Sequence, residues 1–68
     1  MNLIEATQAR DTARYTMLST ADCAPWADVA QRMLRATPAA KAAYEAAVDR
    51  VREALRGTKY EGADPEYV

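Results

Sequence analysis

The side chains able to carry chemistry are few, and their types restrict what that chemistry can be. The chain has no histidine and one cysteine, Cys23. Without imidazole there is no Ser–His or Cys–His dyad, and the commonest neutral general base is missing. A zinc site within one chain would rest almost wholly on carboxylates, which suit zinc poorly. The two glycines, Gly57 and Gly62, stand apart, so there is no glycine-rich phosphate loop. Cys23 lies near the expected start of a helix, but no cationic residue adjoins it to activate its thiol; the plainer reading is a small buried residue in a connection. Glu45, Asp49 and Glu53 recur every four residues along one helical face, where carboxylates could meet a divalent ion. Arg50, Arg52 and Arg56 interleave with them, and such mixed charge is the ordinary solvated surface of a helix. The expectation is a chain that is not an enzyme, with no catalytic residue, metal site or cofactor.

If the chain does not catalyse, its surface must act, and composition narrows the partners. Nine basic against ten acidic side chains give a net charge of −1. A nucleic-acid binder usually carries a clear basic excess. No basic stretch followed by an apolar one reads as a secretory signal, and no apolar run is long enough to span a bilayer, so a cytoplasmic protein is expected. Half of the 68 residues count as hydrophobic, but sixteen of these are alanine and none is phenylalanine. That supply of bulky side chains is thin for a self-sufficient core. A homodimer, or a larger protein partner, would bury the remainder.

The elements that must position any surface site are helical. The expected fold is all-α, a small three-helix domain over residues 1–57, followed by an acidic extended tail, 58–68. The first helix spans about 2–19, with Asn2 as its cap and Glu5 at capping-box spacing. Its apolar residues form no single stripe: Leu3, Ala6, Ala13 and Met17 share a face with Arg10 in its middle. The second helix spans about 25–36, with Pro25 in its first turn and Thr20 or Asp22 as cap. Trp26, Val29, Ala30, Met33 and Leu34 fall at the spacing of one buried face. The third spans about 38–56, started by Thr37-Pro38 and stopped at Gly57, with Arg52 and Arg56 complementing its dipole. Its stripe of Tyr44, Val48, Val51 and Leu55 is flanked by Ala40, Ala47 and Ala54, so another helix can approach closely. That stripe is the expected dimer interface, with the mixed face of helix one as the alternative. Helices two and three should form a bent hairpin, with helix one packed across them.

On this scaffold the candidate partner-binding residues are Trp26, Arg32, Met33, Arg35, Tyr60 and Tyr67. Tryptophan is enriched at binding hot spots, although its place on the stripe of helix two favours a core role. Arg10 and Arg14, and Arg32 and Arg35, could grip an acidic surface, although exposed arginines are mostly just solvated. Tyr60 and Tyr67 are unusual in an acidic tail; they either pack back on the helices or anchor in a partner's groove.

Asp28-Val29-Ala30-Gln31-Arg32, followed by Thr37-Pro38-Ala39-Ala40, resembles the helix-turn-helix of bacterial repressors. The resemblance covers under a third of the chain and implies a small DNA-binding transcriptional regulator. The sequence departs from that pattern in its turn, which lacks glycine and is one residue too long. The helix that would enter the groove offers Ala39, Ala40, Lys41, Ala42 and Ala43, with little to read base edges. The preferred expectation is therefore a non-catalytic, protein-binding regulator or inhibitor of a larger bacterial protein or complex. Compact chains of this size and alanine–arginine bias are common among phage-encoded modulators, such as anti-CRISPR and anti-activator proteins. DNA binding is the alternative.

Overall fold

The computed structural model describes residues 2–68. Its fold is all-α: α1 covers Leu3–Ser19, α2 Val29–Arg35 and α3 Pro38–Leu55, with no strand among the described residues. No helix among them is long and apolar enough to cross a membrane.

Local chemistry explains most of the boundaries. Asn2 is extended, and its Oδ1 accepts from the Glu5 N–H at 2.8 Å, so α1 starts as its cap spacing predicts. Thr37 caps α3 in the same way, accepting from the Ala40 N–H, and Pro38 occupies the first turn, where its missing N–H costs nothing. Gly57 follows the end of α3 with a φ of 75°, a left-handed conformation that glycine adopts without penalty.

The second helix is shorter than expected and starts later. A capping box decides its start: the Asp28 side chain accepts from the Gln31 N–H at 2.9 Å, and the Gln31 side chain accepts from the Asp28 N–H at 3.3 Å. Two satisfied donors there outweigh the start signal of Pro25, and Pro25–Ala27 forms a turn closed by Ala27 N–H to Ala24 C=O. Neither Thr20 nor Asp22 caps α2. Thr20 ends α1 instead, and its hydroxyl accepts from the Thr37 N–H at 3.2 Å, tying the end of α1 to the start of α3.

The packing order also differs from the expected hairpin. α1 and α3 lie along one another and make the main helix–helix interface, while α2 touches α1 far less. The stripe of α3 does what its spacing predicts: Tyr44, Ala47, Val48, Val51 and Leu55 are all buried. It is covered within the same chain, so Tyr44, Val48, Val51 and Leu55 do not offer an open face to a second copy. The core has two parts. Met17, Ala36, Tyr44 and Val48 cluster with Ala13, Leu18, Met33 and Ala40 packed on them. Ala6, Val51 and Leu55 form the other cluster, joined by Leu3, Ala54, Ala63 and Val68. On α1, Ala6, Arg10, Ala13 and Met17 fall at i, i+4, i+7 and i+11, so the buried arginine stands between the two clusters.

Residues 57–68 are not extended. They run through successive turns, with main-chain bonds from Thr58 to Leu55, Glu61 to Thr58, Ala63 to Tyr60 and Tyr67 to Asp64. Gly62 supplies a second positive φ, 96°. The segment folds back, and Ala63 and Val68 join the lower core cluster.

Candidate partner-binding surface

Bulky apolar side chains stay exposed in three places: Ile4 and Tyr15 on α1, Tyr60 and Tyr67 after α3, and Trp26, Val29 and Leu34 on and before α2. Trp26 is 87 % exposed, Leu34 79 % and Val29 57 %, and α2 contains no buried residue. The apolar stripe predicted for this segment is therefore not a core stripe. Trp26 stands in the turn before α2, and Leu34 faces solvent. Met33 alone reaches the core, half-buried against the cluster of Met17 and Tyr44. A helix of seven residues is too short to persist in water on its own propensity. Its capping box and this one anchor hold it, and the rest of its apolar surface has nothing to cover it within the described residues.

Two shallow grooves lie beside it. One brings Trp26 together with Cys23, Gln31 and Arg35. Cys23 is half-buried there, its thiol 4.0 Å from the Ala21 carbonyl oxygen. The other groove joins Leu18, Val29 and Met33 to Arg14 and Tyr67. Tyr60 belongs to neither; it sits on the turns after α3, half-exposed, with the Lys59 ammonium 5.1 Å from its ring centre. Of the six candidate residues, the fold thus brings Trp26 and Arg35 to one groove and Met33 and Tyr67 to another. Arg32 is folded away, its Nε donating to the Ala27 carbonyl at 3.2 Å and its Nη2 to that of Pro25 at 3.0 Å. These bonds satisfy the carbonyls of the turn that α2 does not absorb. Lys41 is likewise turned back, donating to the Leu34 carbonyl at 3.2 Å.

Arg10 and Arg14 do not offer their cations to a partner's acidic surface; they bind the chain's own last segment, through its main-chain oxygens. Arg10 is 5 % exposed, and its Nη1 donates to the main-chain oxygens of Pro65 at 3.1 Å and Val68 at 2.7 Å. Its Nε and Nη2 donate to Asp11 at 3.0 and 2.9 Å, so the buried cation has acceptors on both sides. Arg14 donates from Nη2 to the Glu66 main-chain oxygen and, at 3.3 Å, to the Tyr44 hydroxyl. That hydroxyl donates onward to Glu66 Oε1 at 3.3 Å, closing a chain of polarised bonds. The Arg14 guanidinium also lies 5.7 Å from the Tyr44 ring centre and 6.0 Å from that of Tyr67. The bond to Tyr44 is the main reason its pKa is held above the ordinary arginine value. Tyr67 thus packs back against Arg14 while keeping 79 % of its surface exposed. The sequence signal for this clamp was Arg10 itself, a cation in the middle of an otherwise small and apolar face.

Among the described residues, no three Cys, Asp or Glu side chains are grouped to hold a metal ion. No protein-family model, curated protein or solved structure matches the chain.

Proposed function

We propose that this chain is a non-catalytic regulator or inhibitor that binds a larger bacterial protein or complex in the cytoplasm, in the manner of phage-encoded modulators such as anti-CRISPR or anti-activator proteins. The observation behind this reading is the set of bulky apolar side chains, Trp26, Val29 and Leu34, held outward on and before a helix that buries none of its own residues. Single exposed apolar residues need no explanation, but those around α2 make an apolar patch in two parts, with Trp26 bordering one groove and Val29 the other, and such surfaces favour protein binding. Partner contact would complete α2, which the body leaves half-supported. Arg35 beside Trp26 adds a cation at the patch's edge, where interfaces place them. The alternative, DNA binding through α2 and α3, draws little support from the cations it needs, because Arg32 and Lys41 are engaged with the chain's own carbonyls.

The test is affinity capture from bacterial lysate with the tagged full chain, alongside the double variant Trp26→Ala/Leu34→Ala. A stoichiometric protein partner is expected, and truncation of hot-spot side chains should weaken its capture by roughly thirtyfold or more. Circular dichroism checks that the variant keeps its helices. A partner captured equally by both chains, or none across repeated preparations, would sink the reading.

A further inference from the structure

Residues 63–68 are held by the helices through a specific seat, whereas the segment joining them to α3 is held only by local bonds within itself and to the last turn of α3. Seat contacts run from Arg10 to the Pro65 and Val68 oxygens, from Arg14 to Glu66, from Tyr44 to Glu66, and from Val68 and Ala63 into the cluster of Val51 and Leu55. Residues 56–62 are all exposed. Their bonds are local: Thr58 to Leu55, Glu61 to Thr58, Gly57 to the Glu61 carboxylate, and Ala63 to Tyr60. The turns also require a positive φ at both Gly57 and Gly62.

We infer that this segment is a hinge and that the seat also accepts residues 63–68 of a second copy, giving a symmetric dimer in which two chains exchange tails. Each seat contact would be rebuilt between chains, so neither copy loses packing, and the isologous arrangement closes on itself. The chain's own tail competes with an effective concentration on the order of millimolar, as short flexible connections give. The exchanged form is therefore expected at millimolar protein and the closed monomer at micromolar. The glycines set this balance. An L-residue at either position would strain the closed turn, while a hinge drawn out towards another copy has no need of positive φ. A β-carbon at either glycine meets nothing within 4 Å, so the closed form would suffer from its backbone conformation and not from a clash. The inference is independent of the patch around α2.

Sedimentation equilibrium on the full chain, from micromolar to millimolar loading, is the first measurement. The double variant Gly57→Ala/Gly62→Ala should dimerise at roughly tenfold lower concentration or less, because left-handed strain is relieved in both partners. In a dimer mixed from isotope-labelled and unlabelled chains, filtered NMR should show contacts between Val68 methyls of one copy and Val51 or Leu55 methyls of the other. Trp26→Ala/Leu34→Ala should leave this dimer intact, which separates its fate from that of the proposed partner surface. A monomer at millimolar loading in both the unmodified chain and the glycine variant would overturn the exchange. A dimer lacking those intermolecular contacts, or one dissolved by the Trp26→Ala/Leu34→Ala change, would overturn it equally.

Discussion

A two-residue bend, Ala36-Thr37, joins α2 to α3, yet α3 buries five side chains and α2 buries none. The two helices differ in what faces them. α1 runs beside α3, and its small residues Ala6 and Ala13 let the backbones come close while Met17 fills the upper end. α2 has the apolar spacing of a core helix but no second surface to meet. Periodicity states which residues would share a face; burial needs an opposing face as well, and α1 has one that α3 already occupies. The lesson is that an amphipathic helix left on the outside of so small a body has its apolar side available for another molecule.

If α2 rests outside the body, the largest loss of stability should come from the α1–α3 interface. Met17 is 1 % exposed, and Met17→Ala should cost about 2–5 kcal/mol by chemical denaturation. Trp26→Ala, although it deletes a larger side chain, should stay within about 0.5 kcal/mol. Equal losses would break the contrast, because Trp26 would then have to be covered in solution.

The clamp on the tail comes next. Arg10→Met keeps an unbranched apolar stem but removes the guanidinium that donates to Pro65 and Val68, and it leaves two main-chain oxygens of the tail without their cation. Bonds to charged groups contribute more than neutral ones, and about 1.5–3 kcal/mol is expected. The same change should raise amide exchange at Tyr67 and Val68, whose N–H groups bond only within the tail, to Asp64. Unchanged exchange would mean that the bonds of Arg14 and Tyr44 to Glu66 and the packing of Ala63 and Val68 hold the tail without Arg10.

These contrasts also mark how far the residues could be read in advance. Both long helices were legible because their caps are local: Asn2 with Glu5, and Thr37 with Pro38, act within one turn of chain. The stripe of Tyr44, Val48, Val51 and Leu55 was legible as buried but not as to what covers it, since spacing carries no information about the opposing element. Trp26 falls outside α2 because the start signal at Pro25 yields to the reciprocal bonds of Asp28 and Gln31, which its spacing on the stripe does not reveal. The acidic, aperiodic composition of the tail lacks a helix or strand pattern and so predicts an extended segment. What folds it is a pair of arginines more than fifty residues away in the chain, and a contact of that range leaves no local trace.

The smallest expected effect sharpens the contrast most, because it separates a helix from the body to which it is attached. Asp28→Ala removes the acceptor for the Gln31 N–H and half of the capping box. Cap loss of this kind costs about 1 kcal/mol of helix stability. In α3, that cost would be felt by the whole fold, because five buried side chains tie the helix to the global transition. In α2 it should fall mainly on local opening: the amides of Arg32 to Arg35 should exchange faster by roughly fivefold. The denaturation midpoint should move by much less than a cap change such as Thr37→Ala moves it, since Met33 is the main anchor that links α2 to the core. If Asp28→Ala and Thr37→Ala shift the midpoint equally, α2 is part of the cooperative body, and its outward side chains lose their claim to be waiting for a partner.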